Sequence, residues 1–239
     1  MAQDTRLGMR MRGLRGPRRA GHVVSSTQLG GLALPMGDDG IVIGTDAENR
    51  SHIASFHHPS PYEVLLIGGL WTAQTIALRA AGTGARVAVE TGRADMWTNL
   101  VRSAGAGLEV ITLHEVGRVP PLGASVGSPV LVIRDCGVRP PRGRTASVPW
   151  QSVMTVVPYL GPAVPRLVEG ATLVGIQRVS PDESAQLGRM MQLPRTDVDA
   201  LSTLGDGVTL WCTRSDRHYT FTQPTDAESQ LLGMPRRLD

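Results

Sequence analysis

The run Val64-Leu65-Leu66-Ile67-Gly68-Gly69-Leu70-Trp71-Thr72 is where this chain of 239 residues comes nearest to chemistry. An apolar stretch of strand character meets two glycines and then a helical run. Strand–turn–helix is the layout that binds phosphate in P-loop and Rossmann units, because the helix N-terminus presents backbone N–H groups to an anion. A working P-loop also needs a lysine on the β/γ-phosphates and a Ser/Thr hydroxyl on Mg²⁺. The turn supplies Leu70, Trp71 and Thr72 instead, and all 24 basic residues are arginine, with no lysine anywhere in the chain. This excludes an ordinary Walker-type motor. The expectation is a protein that is not an enzyme and takes no cofactor, with Gly68-Gly69 serving as a tight turn that packs helix on strand.

An alternative keeps the turn functional. Glu90 ends the next apolar strand 22 residues after Gly68, where a Rossmann enzyme places the acid that holds a ribose hydroxyl. In that register Leu70 stands where a second glycine must admit the pyrophosphate. Gly68, Gly69 and Glu90 are therefore the site residues of a second reading, an oxidoreductase or methyltransferase. Asp135 closes the run Val130-Leu131-Val132-Ile133-Arg134 much as a Walker B aspartate would. Without a P-loop hydroxyl, a pairing with arginine is expected there rather than Mg²⁺. His57 and His58 are adjacent, so on a strand they point to opposite faces and chelate poorly. No metal site is expected. Cys136 and Cys212 lie far apart in a chain without a secretory signal, which fits a reducing cytoplasm.

Charge is concentrated at one end. Six of the 24 arginines and one of the 21 acids fall in residues 1–21, leaving 18 arginines against 20 acids in the rest. That Gly/Arg-rich stretch has no apolar period and is expected to be a disordered tail, available to anionic lipid. No aromatic residue interleaves with its arginines, so sequence-specific nucleic-acid binding is not expected. No apolar run approaches the roughly 18 residues of a membrane helix, and no signal-peptide h-region follows the arginines.

The remainder, residues 22–239, predicts a single α/β domain: a mostly parallel sheet flanked by helices, degenerate P-loop-like, with N-terminal and C-terminal hairpins. The first hairpin covers residues 39–58, the core 62–193 and a C-terminal part 194–239. Strands are predicted at 63–68, 86–90, 109–113, 129–135, 153–157 and 172–179, and helices at 71–81 and 94–104. Ser180-Pro181-Asp182-Glu183 and Thr225-Asp226-Ala227-Glu228 are capping boxes that open helices. Pro194 is expected to stop the first of these, Thr196 to cap a short helix 197–204, and 208–213 with 218–222 to form a hairpin. With so few aromatics, Trp71, Trp97, Trp150 and Trp211 are expected to anchor packing or an interface.

The strand Ile41-Val42-Ile43-Gly44-Thr45-Asp46, its return, a Pro-rich break and Val64–Gly69 resemble the start of the ATPase core of FtsK-type translocase motors. Gly175-Ile176-Gln177-Arg178-Val179-Ser180-Pro181-Asp182-Glu183 resembles their late strand and helix. Walker A is absent and Walker B broken, so the resemblance implies the scaffold without the hydrolysis. More specifically, residues 38–237 resemble the cytoplasmic C-terminal region of the actinobacterial EccE family of type VII secretion. The carriers are Asp39–Asp46, Gly68-Gly69-Leu70-Trp71, Ala85-Arg86-Val87, Pro149-Trp150-Gln151, Gln177-Arg178 and Pro224-Thr225-Asp226. This resemblance implies a non-catalytic assembly subunit at the cytoplasmic face of a secretion apparatus, peripheral to the inner face of the plasma membrane. Its partners would be membrane components and the core ATPase. The interaction surface expected for it is Trp71, Trp97 and the loop arginines Arg139, Arg142 and Arg144.

Overall fold

The computed structural model describes residues 40–104, 109–137 and 148–237. The arginine-rich tail, the domain boundary at 21/22 and Arg139, Arg142 and Arg144 lie outside the described residues.

Six strands form the parallel part of the sheet: β3 (Tyr62–Ile67), β4 (Arg86–Thr91), β5 (Ile111–His114), β6 (Val130–Asp135), β7 (Gln151–Val157) and β8 (Leu173–Ile176). Most read as unbroken apolar runs because both faces are covered, which leaves no solvent side for polar alternation. Four more strands complete the sheet: β1 (Ile41–Thr45), β2 (Ser51–Ala54), β9 (Val208–Cys212) and β10 (Arg217–Phe221). The order across the sheet is β2-β1-β10-β9-β8-β3-β7-β6-β4-β5. The fold class is thus as expected, α/β with a mostly parallel mixed sheet. The two hairpins are not appendages, however. β10 pairs antiparallel with β1 through Thr45 and Phe221, and β9 pairs antiparallel with β8, so both hairpins extend the core sheet at one edge.

Helices α1 (Leu70–Gly82) and α2 (Asp95–Ala104) cover one face. Val64, Leu66, Val87, Val89, Leu131 and Ile133 from the sheet pack there against Ala73, Ile76, Ala77, Trp97 and Leu100. On the other face Leu65, Ile67, Val174, Ile176 and Leu210 meet α3 (Val164–Gly170), α4 (Pro181–Met191) and α5 (Arg195–Leu201). Helix α6 (Asp226–Leu232) is the last helix among the described residues. Both capping boxes form, at Ser180/Glu183 and Thr225/Glu228.

Local details depart from the expected boundaries. Helix α4 ends before Pro194, on Gln192 in the left-handed conformation (φ 53), and Pro194 occupies the N-cap of α5, so that helix starts two residues earlier than Thr196 capping would give. Helix α3 was not expected at all; Pro165 in its first turn is the signal that was available. In β8, Gly175 sits opposite Trp211, and a Cβ on it would lie 2.5 Å from the indole. The ring lies on bare backbone, which only glycine permits.

No helix among the described residues is long and apolar enough to cross a membrane. Two partly buried carboxylates tie elements together: Glu183 accepts the Leu160 N–H (2.9 Å), and Glu228 holds Arg79 of α1 at 2.7 Å. Burial pushes each carboxyl up, but hydrogen bonds outweigh it, from the Leu160 and Ser180 N–H groups for Glu183 and from Arg79 and Thr225 for Glu228. Both carboxyls fall below their ordinary 4.5. A depressed carboxylate stabilises the fold fully above its unfolded pKa and loses that contribution as pH drops through the folded value. Melting temperature is therefore expected to hold from neutral pH down to the ordinary 4.5 of these carboxyls and to fall as the pH drops below it. Glu228→Gln should flatten part of that decline, which thermal melts at stepped pH will show.

Candidate functional site

In α/β sheets ligands bind beyond the carboxyl ends of the parallel strands. Here that rim carries Gly68-Gly69 after β3, Thr91 at the end of β4 with Arg93 beyond it, Asp135 at the end of β6, Pro158 after β7 and Gln177-Arg178 after β8. The rim is already occupied by the protein's own groups.

At the glycine turn, the Gly69 N–H donates to Gln177 Oε1 at 2.7 Å. The other end of the same amide, Gln177 Nε2, donates to Thr72 Oγ1 (2.7 Å) and Thr209 Oγ1 (3.3 Å). Gln177 is 2 % exposed. One buried side chain therefore takes both the backbone donor that would cradle a phosphate and the hydroxyl of α1 nearest in role to an Mg²⁺ ligand. The C-terminal segment then lies across the turn. A Cβ on Gly69 would stand 2.6 Å from the Arg237 carbonyl oxygen and 2.9 Å from that of Arg236. Arg237, 7 % exposed, donates from Nε to the Arg178 carbonyl (2.8 Å) and from Nη2 to the Pro158 carbonyl (2.7 Å). Lone pairs of main-chain oxygens thus face the turn where phosphate oxygens would come.

The aspartate is equally committed. Arg93 bridges Asp135 through Nη2 to Oδ1 (2.8 Å) and Nε to Oδ2 (3.0 Å). Trp97 Nε1 donates to Oδ2 at 2.8 Å and Thr91 Oγ1 at 3.1 Å. Asp135 is 1 % exposed, so a guanidinium, an indole and a hydroxyl fill the sphere a metal ion would need. The expected arginine pairing is present, though at the end of an interior strand rather than at a sheet edge.

Glu90 does not serve the glycine turn. In the Rossmann order the second strand lies beside the first. Here β7 and β6 separate β3 from β4, placing Glu90 three strand spacings, about 14 Å, from the turn. Its Oε2 takes Arg134 Nε at 2.7 Å and its Oε1 the Gly117 N–H at 2.7 Å. Glu90 and Arg134 are register neighbours in the β4–β6 pair, which explains both polar residues inside apolar strands. The reading of Gly68, Gly69 and Glu90 as one dinucleotide site is overturned on topology.

Trp71 and Trp97 are corrected as well: they are 1 % and 0 % exposed and offer no interaction surface. Both are internal donors, Trp71 Nε1 to the Gly233 carbonyl (3.1 Å) and Trp97 to Asp135. Trp211 is buried too, while Trp150 is half-buried. His57 and His58 bond to different elements, Thr83 Oγ1 (3.1 Å) and Ser60 Oγ (2.6 Å). Among the described residues no group of three His, Cys, Asp or Glu could hold a metal. Burial, helped by the charge of Glu90, pushes the Cys136 thiol up to about 12, far from a thiolate nucleophile at neutral pH. Sequence reasoning missed Arg93 and Arg237. Gln177 was visible inside the strand predicted at 172–179 and in the motifs that carry the family resemblance, with no contact to the glycine turn attached to it.

No protein-family profile and no curated protein matches the chain. The fold itself defines a class, an α/β domain built on a mostly parallel mixed sheet flanked by helices. Among solved structures it is similar to VirB4 of Thermoanaerobacter pseudethanolicus, with a TM-score of 0.56 and 10 % identity, covering 80 % of this chain and 98 % of that one. A second similarity is to the genome packaging NTPase B204 from Sulfolobus turreted icosahedral virus 2, solved with AMP, with a TM-score of 0.47 and 9 % identity over 70 % of this chain and 98 % of that one.

Proposed function

We propose that this chain is a non-catalytic scaffold subunit of a type VII secretion apparatus, EccE-like, using a P-loop ATPase-like fold to bind other proteins. The observation that carries the reading is the closed rim: Gln177 holds the Gly69 N–H and Arg93 holds Asp135. The absence of lysine from the sequence supports it, since the P-loop lysine that reaches the β/γ-phosphates is missing. A preformed sheet with a filled ligand rim suits binding without turnover. Its partners are taken to be the membrane components and core ATPase of the secretion system, at the cytoplasmic side. The arginine-rich residues 1–21 are assigned to anionic headgroups, each arginine contributing about 1 kcal/mol near the surface.

The test is reconstitution. The full chain is expected to co-elute with the detergent-solubilised secretion membrane complex and its ATPase. It is also expected to float with vesicles containing anionic lipid, and the second behaviour should vanish on deleting residues 1–21. Failure to join the complex in the presence of every membrane component overturns the assignment.

A further inference from the structure

Residues 234–237 are attached differently from the rest of the domain. They lie outside the sheet and beyond α6, and are fixed to the rim through Pro235 and Arg237. Pro235 packs at Gly207, whose added Cβ would meet it at 3.0 Å. The Arg237 guanidinium spans the Arg178 and Pro158 carbonyls, and its charge helps hold the Glu183 carboxyl down. Met234 stands 71 % exposed between these anchors and the helix. At the junction Gly233 has φ 74, and nothing lies within 4 Å of where its Cβ would be. Trp71 holds that hinge by a hydrogen bond to the Gly233 carbonyl.

We infer that residues 234–237 are a latch that swings about Gly233 and opens the rim without unfolding the sheet. The closed state is seen here. In the open state Gly69 and the carbonyls of Pro158 and Arg178 face solvent, so a partner that docks on this rim must first release the latch. A short segment outside every helix and strand ladder opens locally at a free energy well below that of global unfolding. The Arg237 side chain tethers the segment by charged hydrogen bonds to two carbonyls. This deepens the scaffold reading by giving its closed rim a second state.

Hydrogen exchange on the full-length chain tests it. In the wild type, the amides of Met234, Arg236 and Arg237 are expected to exchange through local openings while interior β3 and β7 amides remain protected. Arg237→Ala should speed exchange at 234–237 and at Leu70–Thr72 by about tenfold or more, leaving β3 and β7 unchanged. Gly69→Ala attacks the same contact from the other side, pushing a methyl into the Arg237 carbonyl, and should give the same pattern. Acceleration of β3 and β7 by the same factor in both variants means the segment is part of the core and overturns the latch. Unchanged exchange at 234–237 in Arg237→Ala overturns it too. Neither result bears on reconstitution with the secretion complex, so the two ideas fail separately.

Discussion

Replacing Trp71 with alanine is expected to destabilise the domain by about 3–5 kcal/mol, the cost typical of emptying a buried aromatic site. The indole is 1 % exposed in the second residue of α1, and its Nε1 holds the Gly233 carbonyl. A collapse of the urea midpoint at unchanged slope is the readout. Trp71→Phe keeps most of the volume but loses the donor, and should cost about 1–2 kcal/mol. If Trp71 were a surface anchor for a partner, alanine would cost well under 1 kcal/mol and binding alone would fall. The two outcomes are separated by several-fold in free energy.

Asp135→Ala is the second large effect, expected at about 3 kcal/mol. Removing one member of a buried pair leaves its partners uncompensated. Here those are the Arg93 guanidinium, the Trp97 N–H and the Thr91 hydroxyl. Arg93 is 35 % exposed and recovers some hydration, which keeps the loss at the lower end of the range for buried pairs. Asp135→Asn retains acceptors for Trp97 and Thr91 and should cost about half as much. In a nucleotide-hydrolysing enzyme the same aspartate would be a metal ligand, and its removal would abolish turnover while sparing the fold. Chemical denaturation of the two variants separates a structural aspartate from a catalytic one.

Much of the architecture is written in local pattern. Apolar runs such as Val130–Ile133 and the capping boxes at Ser180 and Thr225 name their elements because strand burial and helix capping are short-range effects. Order across the sheet is not local. Nothing in the residues around Glu90 announces that β6 and β7 lie between it and the glycine turn, and that single fact removes the dinucleotide reading. For Trp71 and Trp97 the sequence leaves packing and interface both open, and burial decides for packing. A large amphipathic side chain serves an interface or a core equally well, and only the contacts of Trp71 and Trp97 decide.

The site was legible by what it lacks and illegible by what fills it. The missing lysine could be counted. That Gln177 reaches back 108 residues to Gly69, and that Arg237 caps the ends of β7 and β8, follow only from tertiary packing. Arg93, two residues past the end of β4, reads in sequence as an ordinary loop arginine. It becomes the counter-ion of Asp135 because β4 and β6 are neighbours with Thr91 opposite Asp135.

At the glycine turn, the place a phosphate would take is filled by the protein's own Gln177 and Arg237. Titrating the full-length chain with ATP–Mg²⁺ in a calorimeter, with melting followed in parallel, tests it most directly. A ligand at 100 times its dissociation constant would stabilise the fold by about 2.7 kcal/mol, a shift of several degrees. The account predicts no saturable heat, no melting shift and no phosphate release. A saturable shift that Gly69→Ala removes would contradict it and return the glycine turn to nucleotide binding.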